Sequence, residues 1–328
     1  MKRIISLFLA AIGILALLTS CAKEEPTVSS LVLSVKPDKT EYVEGETFDP
    51  TGARVDANMS DGTVREGVEY ELTSPNPIGA KAYKVVFSYG GQSVSINLEV
   101  KRRGNEPEYW LENTPALESS PLEGKTYFFL GSSVTRGEHS EGESMVDFIA
   151  KRNGANCIKE AVSGTTLMDN GEKSYVSRFN RYLESEEKAD SLDAFICQLS
   201  TNDLKYSESF GAITAEDKRE ITDFDTATTA GAIEYIIVRA RQEWRCPVVF
   251  YTNSNFHNEN YEKMIAILDE AQAKWNIEVI DLYRDEKFND VTEEELSLYM
   301  FDLTHPTRAG YRDWWTPKFE EKLAEISA

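Results

Sequence analysis

Histidine is scarce in this chain: 328 residues hold only His139, His257 and His305. No two of them stand at the close spacing of a zinc motif and no Cys-x-x-Cys occurs, so no metal or organic cofactor is implied. Gly-x-Gly-x-x-Gly and P-loop patterns are absent, which removes the usual fingerprints of a nucleotide-binding α/β domain. Positive charge is in deficit, with 35 Lys and Arg against 56 Asp and Glu, a net charge of −21. Nucleic acid needs clustered cations, so it is excluded as a partner. A neutral substrate such as a sugar ester suits this surface, and the acidity also serves solubility. Of four cysteines, Cys21 stands apart near the N-terminus, and the odd remainder, Cys157, Cys197 and Cys246, cannot all pair. Cys157 and Cys197 lie in apolar, strand-like runs and read as buried free thiols. What is present in quantity is core material: 41% hydrophobic and 11% aromatic residues, in a length that suits two domains.

Lys2 and Arg3 precede an apolar stretch, Ile4–Leu18, that is too short for a comfortable membrane span and reads as a signal peptide over 1–20. It closes in Leu18-Thr19-Ser20-Cys21, which resembles a bacterial lipobox. The resemblance implies cleavage before Cys21 and acylation of that residue, hence a lipid anchor as the only membrane contact. Ala22-Lys23-Glu24-Glu25 is similar to the short tag of surface-directed Bacteroidetes lipoproteins. It implies an outer-membrane lipoprotein exposed at the cell surface, with the periplasmic face as the alternative.

Residues 21–30 form a polar tether. Over 31–101 short runs alternate apolar and polar residues, as in Leu31–Val35, Tyr83–Phe87 and Val94–Leu98, and Tyr89-Gly90-Gly91-Gln92 is a hairpin signal. This predicts a small all-β sandwich. Tyr42-x-x-Gly45-Glu46, Gly52-x-x-Val55 and Ser60-Asp61-Gly62-Thr63 resemble bacterial Ig-like domains, for which glycan contact is an expectation. Asp56–Gly62 has calcium-loop residue types, but its glycine falls one place late and no glutamate closes it, so a turn is the better reading. Residues 102–122, with Pro107, Pro115 and Pro121 and no periodicity, read as a linker.

From 123 to 328 strands and helices alternate, the pattern of a parallel sheet covered on both faces. Tyr127-Phe128-Phe129-Leu130 is too short for a helix and reads as a buried strand that breaks at Gly131-Ser132-Ser133. Two further strands, Asn156–Val162 and Ala194–Leu199, run into Ser163-Gly164-Thr165-Thr166 and Ser200-Thr201-Asn202-Asp203. Ser144-x-x-Asp147 predicts a capped helix ending at Asn153-Gly154. Helices are expected over Ala227–Trp244, Tyr261–Trp275 and Gly310–Ile326, with strands at Val248–Tyr251 and Val279–Leu282. Lys205–Asp225 is a polar loop expected to rim the site. Far downstream stands Asp302-Leu303-Thr304-His305. A strand-end serine and a distant Asp-x-x-His are the parts of a nucleophile, a base and its orienter, brought together only by folding.

Four of these clusters, in this order, resemble the blocks of the SGNH hydrolases, the GDSL-type esterase and lipase superfamily. The resemblance implies a three-layer, flavodoxin-like α/β domain. It makes Ser133 the nucleophile, His305 the base and Asp302 its orienter, with Ser133, Gly164 and Asn202 donating to the oxyanion. Two positions depart from the family pattern, Ser132 for its aspartate and Ser200 for its glycine, and both bear on substrate range. Competing roles are a helix-capping serine for Ser133, a turn glycine for Gly164 and a cap for Asn202-Asp203. His139 and His257 read as solvated loop residues, His139 close enough to Ser133 in the chain to line the pocket, and Asp281 as a strand-terminating one. The function implied is a serine esterase acting on acyl, for instance acetyl, esters of small molecules or polysaccharide. A non-catalytic carbohydrate-binding or adhesion lipoprotein is the alternative.

Overall fold

The computed structural model describes residues 25–75, 78 and 84–327, so the leader and Cys21 lie outside the described residues. Among the described residues no helix is long and apolar enough to cross a membrane. The chain separates into two compact units.

The first unit runs up to Thr40 and takes in Phe48–Pro75 and Lys84–Leu98. Its strands are β1 (Val28–Val35), β3 (Arg54–Met59), β4 (Val64–Arg65), β5 (Glu71–Thr73), β6 (Lys84–Tyr89) and β7 (Gln92–Asn97), while β2 (Glu41–Val43) and β8 (Glu99–Lys101) belong to the second unit. They make two antiparallel sheets, ordered β1-β3-β4 and β5-β6-β7. Period-two burial puts Val55, Ala57 and Met59, with Val85 and Phe87, into the core. The β6–β7 hairpin closes on Gly90 and Gly91, both at positive φ, the turn geometry that matches strand twist. Asp61 accepts from the Thr63 amide and hydroxyl at 3.0 and 2.7 Å, so the calcium-like stretch is indeed a turn. β1 begins within the stretch expected as a tether.

The second unit holds Glu41–Thr47, Ile78 and the chain from Glu99 onward. β2 and β8 pair in parallel at its N-terminal side. Its main sheet comprises β9 (Thr126–Gly131), β10 (Asn156–Ala161), β11 (Ala194–Gln198), β12 (Val248–Tyr251) and β13 (Glu278–Ile280), all parallel, in the order β10-β9-β11-β12-β13. That is the flavodoxin-like order, with its reversal at β9. Helices α1 (Ser133–Arg136), α2 (Met145–Asn153), α3 (Tyr175–Leu183), α4 (Thr229–Trp244), α5 (Glu259–Trp275), α6 (Glu293–Tyr299) and α7 (Thr316–Ser327) follow in order. The strand alternation sorts the core. Phe128, Leu130, Phe195 and Phe250 face α3, α4 and α5, while Tyr127, Phe129, Ile196 and Tyr251 face α2 and α7. Both faces are covered, which is why these strands read as unbroken apolar runs.

Helix ends follow the local chemistry. Ser144 and Asp147 form the expected capping box on α2, and Gly154 ends it in the left-handed conformation. α3 and α6 have no counterpart in the sequence reading. A π-helical turn over Gly310–Trp315 leads into α7, and a side chain on Gly310 would meet the Tyr299 carbonyl at 2.0 Å.

Two expected loops turn out to be anchored. The stretch 102–122, expected as a linker, is a strap packed on the second unit. Gly104 accepts from the Ala309 amide at 2.8 Å, and Asn105 accepts from the Arg308 amide and donates to the His139 carbonyl, both at 2.9 Å. Trp110 donates to the Asn105 carbonyl and lies under the Arg308 guanidinium. Arg102 stands over the Phe301 ring. The segment expected as a polar loop, Lys205–Asp225, is pinned on α4 and α5. Thr214 bonds Glu234, whose carboxylate also takes the buried Lys274 ammonium at 2.7 Å and the Trp275 indole at 3.0 Å. Cys197 and Cys246 are buried and Cys157 half-buried, all three free.

Candidate active site

The carboxyl ends of β9, β10, β11 and β12 share one edge, where this topology leaves its ligand crevice. β9 must end in glycine: a Cβ on Gly131 would meet the Thr135 hydroxyl at 1.6 Å. Ser132 then stands at the N-cap position of α1, without a side-chain cap bond, and Ser133 is the first residue of the helix. The Ser133 hydroxyl lies 2.8 Å from His305 Nε2. On the far side of that ring, Nδ1 lies 2.9 and 3.0 Å from the two carboxylate oxygens of Asp302. With Nδ1–H donating to the carboxylate, Nε2 is left to accept the serine proton.

Asp302 is fixed by its own turn. Partial burial alone would raise its carboxyl, but bonds from the His305 ring and the Thr304 and His305 amides outweigh this and hold it far below the usual range. The turn is held from below by Asn253, whose amide donates to the Thr304 carbonyl at 3.0 Å. The Asn253 N–H in turn donates to the Tyr261 hydroxyl, which donates to the Leu199 carbonyl. A buried bridge therefore joins the end of β11 to the histidine turn. Thr252-Asn253-Ser254 repeats the polar strand-end signal of the first three strands, so this element could have been found in the sequence.

Asn202 and Gly164 meet through Thr165. The Asn202 amide and the Ser200 hydroxyl donate to the Thr165 carbonyl at 3.0 and 3.2 Å, and Gly164 has φ +76, which favours glycine. Each Asn side chain carries two N–H donors, so one remains after the Thr165 bond. Asp203 is no cap. Fully buried, it accepts from the Leu167 and Met168 amides at 2.7 and 3.0 Å and from Thr229 at 3.2 Å, clamping the Gly164 loop to β11. Burial pushes its carboxyl up to about 6.

The two departures from the family pattern do not line a pocket, because both side chains are fully buried. Ser132 donates through N and Oγ to the Gln198 side-chain oxygen at 2.9 and 3.1 Å. Thr135 and Tyr175 also reach that oxygen. Arg178, buried beneath, bonds the Gly131 carbonyl at 2.7 Å. Neither Gln198 nor Arg178 carries a sequence signal of its role.

Of the remaining candidates, Asp281 accepts from Thr252 and binds Arg284, a structural use. His257 and Asp302 border a cavity of about 210 Å³ whose apolar wall is Val291, Leu296, Met300 and Trp314. His139 is exposed, with its ring flat on Phe301 and 5.3 Å from the His305 ring. A polar cleft of about 450 Å³ lies beside the Gly164 loop, lined by Ser163, Gly164, Thr165, Asn170, Glu172 and Lys173.

Residues 129–312 match the GDSL-like lipase/acylhydrolase family and residues 35–100 the group 3 bacterial Ig-like domain. Among solved structures, a Lactobacillus plantarum protein is 18% identical, with a TM-score of 0.50 over 62% of this chain and 98% of its own. A GDSL-like lipase from Bacteroides ovatus is also 18% identical, with a TM-score of 0.41 over 62% and 99%. A mutant of an acetyl-xylooligosaccharide esterase from Geobacillus is 12% identical, with a TM-score of 0.42 over 61% and 94%. The first of these likenesses speaks for the fold alone.

Proposed function

Since this chain belongs to the GDSL-like lipase/acylhydrolase family and is an ester hydrolase, we propose that it cleaves acyl esters, acetyl among them, from carbohydrate through Ser133, His305 and Asp302. The observation that carries the reading is one continuous relay. A serine hydroxyl, an imidazole and a carboxylate stand at 2.8 and 2.9 Å, though serine and histidine are 172 positions apart in sequence.

His305 Nε2 takes the Ser133 proton as Oγ attacks the ester carbonyl, and Asp302 stabilises the imidazolium that forms. The oxygen of the tetrahedral intermediate is met by the Ser133 and Gly164 amides and by the second Asn202 N–H, donors fixed before the charge develops. His305 returns its proton to the leaving alcohol. Water, deprotonated by the same nitrogen, then releases the acid. The polar cleft beside Gly164 supports a polyol as the alcohol, and its mixed lining suits a neutral one.

The lipobox at Cys21 supports a lipid anchor, and the Ala22-Lys23-Glu24-Glu25 tag after it supports an outer-membrane lipoprotein displayed at the cell surface, with the Ig-like unit available for glycan contact. The test is release of acid from p-nitrophenyl acetate and from acetylated oligosaccharides by the wild type and Ser133→Ala. Turnover by the variant at the wild-type rate refutes the mechanism, and glycan binding without any turnover favours a non-catalytic binder. Loss of lipid labelling in Cys21→Ala tests the anchor.

A further inference from the structure

His139 has no part in the hydrolytic scheme, yet it is held with care beside it. It takes a left-handed backbone, φ +63, that is uncommon for a side-chain-bearing residue. Its carbonyl is fixed by Asn105 at 2.9 Å, and its ring lies 3.9 Å from that of Phe301 at an interplanar angle of 2°. The ring stands edge-on to His305, at 5.3 Å between centres and 78° between planes. Side-chain donor atoms of His139, Asp302 and His305 all fall within 4.8 Å of one another.

The separation of the two ring centres is close to the one a shared ion requires. Two imidazoles bound at about 2.1 Å in a tetrahedral shell bring their ring centres to roughly 5 Å apart. His305 is also prepared electronically. A carboxylate on Nδ1 fixes the tautomer that leaves the Nε2 lone pair free to coordinate, the arrangement found behind metal-bound histidines. Glu138, next along the chain and bonded by Ser163, adds negative charge at the same rim. Imidazole donors with carboxylates behind them select zinc or copper over magnesium and calcium.

We propose that His139 and His305 form a binding site for a borderline divalent cation, zinc first among them, and that its occupation silences the hydrolase. The cation takes the Nε2 lone pair of neutral His305 and a ring nitrogen of neutral His139, with the Ser133 hydroxyl or water completing the shell. No covalent bond breaks. The lone pair that would receive the Ser133 proton is simply engaged, so zinc acts as a reversible inhibitor.

The binding readout is zinc chloride titrated calorimetrically into full-length Ser133→Ala protein, which keeps both histidines. The functional readout is ester hydrolysis by the wild type under the same titration. One ion per chain and full reversal by chelator are expected, with no effect of magnesium. His139→Phe keeps a ring on Phe301 but offers no ligand atom, and His139→Gln checks the fold independently. Each should raise the zinc concentration for half-inhibition, relative to its own uninhibited rate, by about tenfold or more. Equal zinc sensitivity in these variants, or no binding at millimolar zinc, overturns the site. If the wild type hydrolyses no ester at all, the proposed function fails while calorimetry on Ser133→Ala still decides this inference.

Discussion

Asn202→Ala separates an oxyanion donor from a structural amide, and the structure sets both magnitudes. The stability cost is small. The Asn202 side chain makes one neutral hydrogen bond, to the Thr165 carbonyl, and that carbonyl keeps the Ser200 hydroxyl at 3.2 Å. The Ser200 cap on the Asn202 backbone N–H at 3.1 Å survives the substitution. Loss of a neutral bond that leaves no orphan costs about 1 kcal/mol, or roughly 2–4 °C in Tm for a domain of this size. The kinetic cost is large. The second N–H acts on charge that exists only in the transition state, and removing such a donor lowers kcat about 100- to 1,000-fold, or roughly 3–4 kcal/mol. KM should change little, because ground-state binding is hardly touched. Initial rates on p-nitrophenyl acetate together with a thermal melt give both quantities from one preparation. A normal kcat with a lowered Tm would reduce Asn202 to a brace for Thr165 and remove it from the mechanism.

Ser133→Ala should abolish hydrolysis, by roughly four to six orders of magnitude in kcat, with Tm nearly unchanged in the same two assays. Asp203→Asn tests the buried clamp by its pH dependence. The fold raises this carboxyl from 3.8 to about 6, so the native state binds the extra proton between those values. The Asp203 contribution to stability is therefore present below about pH 4 and is lost as pH rises through 6, by about 3 kcal/mol in all. The difference in unfolding free energy between wild type and variant should carry that slope, and a pH-independent difference would refute it. A chain beginning at Lys101 should keep Gly104 and Asn105 in place and hydrolyse a small soluble ester, whereas one beginning at Thr114 strips Arg308 of Asn105 and Trp110. Comparable activity and melting of the two truncations would show the strap to be dispensable. Burial pushes Cys157 to about 12 and Cys246 to about 11 and lifts Cys197 well above its ordinary value, so none of these three thiols should alkylate at pH 8 without denaturant.

The sequence by itself determined the two-unit plan, the five parallel strands and the candidate residues that folding brings to one edge of the sheet. Those features rest on local chemistry: apolar runs bounded by glycine and hydroxyl residues, a Ser144-Asp147 cap, a double-glycine hairpin, and an Asp-x-x-His whose members are close enough in the chain to pair. Tertiary structure alone decided what distance along the chain conceals. Gln198 and Arg178 look like ordinary polar residues, yet folding buries them beneath the serine, where they bond Ser132 and the Gly131 carbonyl. The strap 102–122 carries no periodicity because its side chains answer partners scattered along the chain, from His139, 34 positions from Asn105, to Arg308, 203 positions from it. Ser132 and Ser200 looked like residues that tune substrate range, and only the closing of the sheet turned both inward. His139 and His305 become neighbours for the same reason. Patterns of period two and 3.6 record which face of an element is covered, whereas a side chain's partner across the fold leaves no period to read.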